Sequence, residues 1–582
     1  MSTFLEKHFA VGKYLSQYNG KLFRQDFNAA ATLAFVALPQ SMAYALIAGV
    51  DPEYGLYAFM IGSIFGSLFG SSRHLQTGPT NATSIIVAST LALYLEHEHF
   101  MGLVFFLGFI SGVIQLAAGY LRLGNLTQFL SRSVLVGFIA GAGLLIGINQ
   151  IPNLLGLPRK SNNSVIEGIL HLSIHIHKTE LEIMAIGVGV ILLVLFFNKV
   201  SPKTRSGIPM LPSYLIAILT AAVVVMVFEL DKIGVKIVGD IPGSLPPLSM
   251  PYFNLEFLQV LTPGAIAIAL IGFAESTSAA KTVAAFTNDK LDMDREFKGQ
   301  GIAKIACSFF SGIPVSGSLT RTQLCYKAGA ETHLANIMAG GLLVVVVMFF
   351  SPLVKYIPLS GLAGIVLIIA ASMVDWKYVK LAIRSSRADT IAMAATFLGA
   401  IMFPLDTAIY IGVGISLALF LRRVQTPRLV ELNYTPDGHF EELREGDPRT
   451  FPEISVVNIA GDVFFGAVDA MEAEILRYAR RKDLKVLILR LKRACCLDAT
   501  SITTLMKIFN DLKAENKLLL VSGATDEILD IFKKSGLEEM LGPDKIFHAD
   551  RTLFHSTQSA LHFALKYLKE NFGIEYPIDV PY

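Results

Sequence analysis

The feature that most constrains this chain is a series of long apolar runs between Arg24 and Arg423. A bilayer core about 30 Å thick needs about 20 residues of helix to span it, and runs close to that length recur along the sequence. Three further stretches are shorter, or are interrupted by Gly, Pro and hydroxyl residues. Both kinds together give about 14 segments, which predicts an α-helical polytopic membrane protein. The long runs are 27–49, 54–70, 102–120, 134–151, 183–197, 210–228, 263–283, 335–350, 359–374, 390–403 and 407–421, and the interrupted ones are 78–94, 302–312 and 316–325.

The composition excludes a wholly soluble protein. Charged residues make up 16% of the 582 residues, against about 25% in an ordinary globular protein. The chain therefore has too few polar side chains to coat a surface that is everywhere in water. Lys and Arg (49) nearly balance Asp and Glu (47), so the sequence lacks the basic excess that nucleic-acid binding requires.

The Lys and Arg residues of the predicted loops favour one orientation in the membrane. If the N-terminus is cytoplasmic, most of these residues fall in cytoplasmic loops. Lys304 is assigned to one of these loops. Cytoplasmic loops of membrane proteins carry an excess of Lys and Arg. We therefore predict cytoplasmic N- and C-termini, and a cytoplasmic segment over residues 1–24 without a cleavable signal peptide.

The last part of the chain has the pattern of a small soluble α/β domain. The predicted organisation is a transport domain over 25–424, a charged linker over 425–451 and the α/β domain over 452–582. Within that domain, short β-rich runs alternate with segments of helical period. The predicted strands are 456–459, 486–491 and 518–522, and the predicted helices are 467–481, 501–515, 526–534 and 557–570.

Two of the interrupted segments occupy matching places in the two halves of the membrane region. One opens with residues 78–84 (Gly-Pro-Thr-Asn-Ala-Thr-Ser) and is the third segment from the start. The other opens with 314–322 (Pro-Val-Ser-Gly-Ser-Leu-Thr-Arg-Thr) and is the third from Pro263. Such a pair is typical of inverted repeats with a binding site between them. Two helix N-termini that face each other would present free N–H groups and partial positive charge, which predicts an anion site.

The second of these segments adds side chains that suit an anion. Ser316, Ser318 and Thr320 offer hydroxyl donors, and Arg321 offers a permanent positive charge. The alternative is structural, because small and hydroxylated residues also let helices pack closely. Arg321 deep in a membrane protein would cost at least a few kcal/mol if it were unpaired, so it is either the counter-charge of an anion or one half of an ion pair.

Three further polar residues stand in otherwise apolar runs. Glu275 is the only carboxylate in the run 263–283, and burial favours its protonated form, which suits proton coupling. It could instead bind Na⁺ or pair with Arg321. Gln40 follows the helix-breaking Pro39, with Tyr44 one turn further on, and both could line the site. Gln40 could equally join two helices.

These motifs resemble the sulfate permease (SulP, solute carrier 26) family, in its order and over nearly the whole chain. The most specific is Pro-Glu-Tyr-Gly-Leu-Tyr at 52–57, followed by Gly-Ser-Ser-Arg-His at 70–74. The segments 38–40, 78–79, 275–276 and 317–322 also look like that family. Leu-Asp-Ala-Thr-Ser at 497–501, after a predicted strand, resembles the STAS domain that follows its membrane domain.

The resemblance implies 14 segments in two inverted repeats of seven. A core domain (segments 1–4 and 8–11) would carry the anion past a gate domain (segments 5–7 and 12–14) in an elevator-type motion, and the protein would be a homodimer. Glu275 would match the acidic residue linked to proton coupling, whereas Ala279 stands where a Na⁺-binding hydroxyl residue would be expected. The implied anion-binding residues are Gln40, Tyr44, Thr80, Ser318, Leu319, Thr320 and Arg321.

The STAS resemblance also bears on regulation. Thr500 occupies the position of the phosphorylatable hydroxyl in related anti-sigma-factor antagonists, but Ser501 replaces the Gly that follows there. That replacement argues against a phosphorylation switch. A soluble partner at the STAS domain is an open alternative, and the absence of a long insertion between Val456 and Asp483 suggests a compact bacterial member.

We therefore expect a secondary transporter of sulfate or a similar small oxyanion in the bacterial inner membrane, coupled to H⁺ rather than Na⁺. We expect no enzymatic activity, cofactor, metal site or nucleic-acid partner. The sequence has no GxxxxGK[ST] motif, so nothing predicts an ATP motor. The alternatives are transport of bicarbonate or of a dicarboxylate such as fumarate, an uncoupled anion channel or exchanger, and a sensor that acts through its STAS domain.

Overall fold

A computed structural model gives the fold of the chain. It describes residues 18–124, 131–158, 165–200, 213–239, 245–424, 428–435, 437–444, 446–463, 466–495, 497–550 and 554–576. Most of the predicted N-terminal segment and parts of the predicted linker lie outside these residues. The chain forms two compact units, 1–416 and 417–582.

The first unit is helical, with two very short strands. Its helices coincide with all 14 predicted segments, and they also include two that the sequence did not predict, α6 and α14. The elements are α1 (Gly20–Ala48), α2 (Pro52–Phe69), β1 (Thr77–Gly78), α3 (Asn81–Leu91), α4 (Phe100–Tyr120), α5 (Arg132–Leu155), α6 (Val165–His175), α7 (Leu181–Val200), α8 (Ser213–Val227), α9 (Leu255–Thr287), α10 (Met293–Phe309), β2 (Ser316–Gly317), α11 (Leu319–Lys327), α12 (Leu334–Val354), α13 (Leu359–Ser372), α14 (Trp376–Ser385), α15 (Arg387–Met402) and α16 (Leu405–Val424), the last of which crosses the boundary between the units.

The helices of this unit are those of a membrane protein. Among the described residues, six are long and apolar enough to cross a bilayer, and four shorter apolar helices accompany them. The number of crossings therefore stays a prediction. Two of the expected segments, α3 and α11, are short helices of 11 and 9 residues, as their interrupted sequences indicated.

Packing divides these helices into two groups. The first consists of α1, α2, α3, α4, α9, α10, α11 and α12, and the second is built around α5, α7, α8, α13 and α15. Glycines allow close contact inside each group. A Cβ at Gly301 of α10 would lie 2.7 Å from the backbone nitrogen of Leu116 in α4, and one at Gly137 of α5 would lie 2.3 Å from the carbonyl oxygen of Met393 in α15. The first group matches the expected core domain and the second the expected gate domain.

The second unit is an α/β domain built on a six-stranded sheet. The strand order is β4-β3-β5-β6-β7-β8, and β5 to β8 are parallel. Alternate residues of β5 pack on opposite faces, with Val457 and Ile459 on one and Ile454 and Val456 on the other. The elements are β3 (Arg428–Tyr434), β4 (Phe440–Glu442), β5 (Ile454–Asp462), α17 (Val468–Ala479), β6 (Val486–Cys495), α18 (Ala499–Ala514), β7 (Leu518–Ala524), α19 (Asp526–Ser535), α20 (Leu537–Leu541), β8 (Ile546–His548) and α21 (His555–Phe572).

The prediction of a linker over 425–451 was wrong for its described part, because β3 and β4 lie within it. β3 pairs antiparallel with β5. Its alternation was hard to recognise because a carboxylate, Glu431, occupies a buried position. The structure neutralises this residue with Arg449 and Arg481, at 2.9 and 3.0 Å from its carboxylate oxygens, and Ser455 donates to it as well.

The start of α18 shows how the motif at 497–501 is used. Asp498 caps the helix by accepting a hydrogen bond from the backbone N–H of Ser501 at 2.9 Å. The Ser501 hydroxyl is buried and lies 2.8 Å from the same carboxylate and 2.9 Å from the carbonyl oxygen of Val463. Thr500 is exposed. Ser501 is therefore engaged in the helix cap, and Thr500 is the hydroxyl of the pair that faces solvent.

Candidate anion-binding site

A two-residue ladder joins the two interrupted segments. Thr77 of β1 pairs with Gly317 of β2, and Gly78 pairs with Ser316, in antiparallel register. Each strand leads directly into a short helix, β1 into α3 and β2 into α11. The ladder thus brings the N-termini of α3 and α11 close together, as the matching positions of the two segments predicted.

Each of these N-termini has a hydroxyl residue as its cap. Thr80 caps α3 and Ser318 caps α11, where the Ser318 hydroxyl accepts from the backbone N–H of Arg321 at 3.4 Å. Leu319 and Thr320 lie in the first turn of α11, where the backbone N–H groups have no carbonyl group of the same helix to donate to. These two N–H groups have no acceptor among the described residues. The positive end of the α11 dipole and these free donors therefore lie next to the ladder.

Arg321 is completely buried between the two helix starts. Its Nε donates to Oε1 of Gln76 at 2.7 Å, and its Nη2 donates to the carbonyl oxygen of Pro79 at 2.7 Å. The third nitrogen, Nη1, has no partner among the described residues. The guanidinium is thus held in place from one side by the segment before α3, and it keeps one donor nitrogen for another acceptor.

Glu275 in the middle of α9 lies beside the same helix starts. Its Oε2 accepts a hydrogen bond from the hydroxyl of Thr80 at 3.0 Å. The neighbouring Ser276 accepts from the backbone N–H of Gly317 at 3.1 Å. Consecutive residues of α9 therefore contact both strands' segments, and the carboxylate is joined to the cap of α3.

Helix α1 supplies the two other predicted residues. The ring centre of Tyr44 lies 5.8 Å from Cζ of Arg321, within the range of a cation–π contact. Phe59 of α2 lies at the same distance on another side. Gln40 is one turn before Tyr44 and is buried, with 8% of its surface exposed.

The structure brings most of the predicted site residues together. Thr80 contacts Glu275, Arg321 contacts Tyr44, and Ser318 caps the helix that carries Arg321. Leu319 and Thr320 differ, because both side chains are exposed, Leu319 by 42%. Their backbone N–H groups, rather than their side chains, are the parts that face the candidate site.

Lys304 was not among the predicted site residues, and its assignment to a cytoplasmic loop was wrong. The structure puts it inside α10, completely buried, with Nζ 3.4 Å from the carbonyl oxygen of Ile268. The misleading signal was the charged first half of α10, which resembles a loop. Gln76 was missed as well. It lies before β1, and its amide holds Arg321 and donates to Ser63 of α2 at 2.6 Å.

Further polar contacts tie the segment before β1 to the helices around it. Glu296 of α10 accepts from the backbone N–H groups of Ser71 and Ser72 at 2.8 and 2.9 Å. Arg73 forms an ion pair with Asp289 at 2.9 Å. Asp26 of α1 accepts from the segment before α12 at Thr332. These bonds connect elements of the first helix group only.

The arrangement suits a small anion better than a cation. It combines helix N-termini, free N–H groups and a buried guanidinium. Among the described residues, no group of three or more His, Cys, Asp or Glu side chains could hold a metal ion. Ala279, one turn after Glu275, is buried and offers no side-chain oxygen as a ligand.

Comparison with known proteins identifies both units. The profile of the Sulfate permease family matches residues 23–396, and that of the STAS domain matches residues 447–560. A relative from Bacillus subtilis (strain 168), named "Putative sulfate transporter YvdB", is 32% identical over 535 residues, which cover 91% of this chain and 97% of the relative. High affinity sulfate transporter 2 of Stylosanthes hamata is 27% identical over 568 residues, 93% of this chain and 85% of that protein.

A solved structure shares the fold over both units. The murine solute carrier 26 family member A9, an anion transporter in the inward-facing state, superposes with a TM-score of 0.87. The match covers 97% of this chain and 95% of that chain at 17% sequence identity. At this level of identity the likeness shows the fold and does not extend to the substrate.

Proposed function

Because the chain belongs to the sulfate permease family, and is a multi-pass membrane protein with a C-terminal STAS domain, we propose that it is a secondary active transporter that takes up sulfate together with protons. The observation that carries the proposal is the pair of helix starts, α3 and α11, joined by the β1–β2 ladder around the buried Arg321. The names of the relatives support sulfate among the small oxyanions.

The anion would bind at the positive ends of α3 and α11. A tetrahedral oxyanion has several acceptor oxygens. The N–H groups of Leu319 and Thr320 and Nη1 of Arg321 are donors that have no acceptor among the described residues. These donors are already held in position, so binding would need little reorganisation. Gln40 and Tyr44 would line the opposite side from α1. The size and hydration of the anion would then be selected by this rigid shell.

Proton coupling would follow from the position of Glu275. When the carboxylate is ionised, its negative charge lies next to the anion site, where it repels an anion and binds the Thr80 hydroxyl. Protonation removes that repulsion. Anion and proton would thus each favour the binding of the other, and this reciprocal effect is what couples their transport.

Transport would be an elevator-type movement of the first helix group past the second. The ladder and the ion pairs around residues 71–73 connect only elements of the first group, so that group can move as one body with the anion. We further propose a homodimer in the bacterial inner membrane with both termini in the cytoplasm, and the STAS domain as the place where a soluble partner would bind.

Uptake by the purified protein in liposomes tests the proposed function. Labelled sulfate, bicarbonate and fumarate are compared under imposed pH and Na⁺ gradients. We expect sulfate uptake that an acidic outside accelerates and that Na⁺ leaves unchanged. Uptake of bicarbonate or fumarate but not sulfate would replace the substrate, and sulfate flux that is insensitive to the pH gradient would make the protein an uncoupled channel or exchanger.

A further inference from the structure

Among the described residues, Lys304 is the one lysine whose side chain is completely buried, and it has no role in the proposed function. It lies on α10, and a Cβ at Gly272 of α9 would be 2.9 Å from its Nζ. Gly272 is one turn before Glu275. The amine therefore packs against α9 one helical turn from the residue that carries the carboxylate of the candidate site.

The surroundings of this amine leave it little else to pair with. Its only hydrogen bond among the described residues is the 3.4 Å contact with the carbonyl oxygen of Ile268. Gln115 of α4 faces the same glycine, and neither atom of its amide has a partner within the part of the chain that the structure describes. An ammonium has three donors, so it is far from satisfied by neutral groups here.

Glu275 is the charged group that faces Lys304. The helices packed on α10 are α2, α4 and α9. α4 carries no Asp, Glu, Lys, Arg or His, and the only such residue of α2 is Glu53 in its first turn. In α9 the ionisable residue close to Gly272 is Glu275. Its carboxylate accepts from Thr80, and Arg321 donates to the carbonyl oxygen of the preceding residue, Pro79. Three charges, two positive and one negative, thus share the interior.

We propose that Lys304 sets the preference of the site for a doubly charged anion, an inference that rests on the proposed function. With Glu275 ionised, the three groups sum to one positive charge. With Glu275 protonated they sum to two, which a sulfate dianion neutralises. Buried charge without compensation is unfavourable in the membrane interior, so the dianion binds together with a proton. Without Lys304 the sum is zero or one, which suits a singly charged anion.

Competition between sulfate and nitrate for the purified full-length protein in nanodiscs tests this assignment, because the two oxyanions carry two charges and one. Lys304→Met should lower the ratio of sulfate affinity to nitrate affinity by about tenfold or more, the effect of one charge at this range. Lys304→Arg should keep the ratio. Lys298→Met removes a charge from the same helix, at a half-buried position over the ring of Tyr120, and should also keep it.

Two variants keep the test decisive if Lys304→Met fails to fold. Glu275→Gln should retain the preference for sulfate and lose its pH dependence. Glu275→Gln combined with Lys304→Met removes the charges of these two residues, leaves that of Arg321, and should lose the preference for sulfate at every pH. An unchanged ratio in the variants without Lys304 overturns the role of Lys304. Wild-type protein that binds no sulfate would instead overturn the proposed function, so the two failures are distinguishable.

Discussion

At the scale of single residues, Arg321 has two tasks that the structure separates by atom. Nε and Nη2 bind Gln76 and Pro79 and so hold the helix starts together, whereas Nη1 has no partner among the described residues. The partners of the first two nitrogens are neutral groups and not the carboxylate of an ion pair. The guanidinium is a structural bridge and, in the proposed function, also a counter-charge.

Arg321→Gln should weaken sulfate binding by about 10- to 100-fold, because a hydrogen bond to a charged group contributes about 1.5–3 kcal/mol. Sulfate-dependent protection against thermal unfolding of the purified protein measures this. Arg321→Lys is the control that keeps the charge but not the planar bridge, and it should bind sulfate more tightly than the Gln variant. Equal affinity of the wild type and the Gln variant would remove Arg321 from the anion site.

Glu275→Gln should abolish the acceleration of sulfate uptake by a pH gradient, since the amide cannot exchange a proton. Uptake down a sulfate gradient should persist, because the amide oxygen can still accept from the Thr80 hydroxyl. Liposomes with an acidic outside and a neutral inside provide the measurement. A variant that responds to the gradient as the wild type does would show that the proton is carried elsewhere.

At the scale of secondary structure, the β1–β2 ladder fixes the distance between the two helix starts, and it leaves no room for a side chain at Gly78. A Cβ there would lie 3.1 Å from Nη2 of Arg321 and 3.1 Å from the ring of Phe59. Gly78→Ala should therefore displace the guanidinium and reduce sulfate affinity by about tenfold, the equivalent of about 1.4 kcal/mol. Gly341→Ala in α12, where a Cβ would meet nothing within 4 Å, is the matched control. Similar affinities in both variants would contradict the close packing described.

The sequence was sufficient for most of the helices, though not for α6 and α14, and for most residues of the candidate site, though not for Gln76 and Lys304. Apolar runs are visible because a bilayer demands about 20 such residues in a row. The breaks at 78–79 and 314–317 stood out against them. The burial of Lys304 and the strand β3 were not predicted, and the reason is the same for both. A charged residue in a sequence is normally read as exposed, and only tertiary partners such as Glu275, or Arg449 and Arg481 around Glu431, permit its burial.

At the scale of the whole molecule, the boundary between the units decides where the chain can be cut. β3 begins at Arg428 and pairs with β5. A chain that ends at Thr450 would therefore keep β3 and β4 but lack β5, the other partner of β3. Truncation after Val424 should give a monodisperse membrane domain. Truncation after Thr450 should aggregate more, because it exposes an unpaired strand edge. Size-exclusion chromatography compares the two truncated proteins. Identical elution profiles would show that an unpaired β3 does not cause aggregation.

The ladder between β1 and β2 also bears on the direction of flow. If the anion binds as proposed, the two helix starts that hold it are joined to each other by this ladder, so the anion keeps the same ligands in every position of the first helix group. Its affinity should then be nearly equal on the two sides of the membrane. The proposed transporter would bind or release the anion on either side, and the gradients that the cell maintains would determine net accumulation.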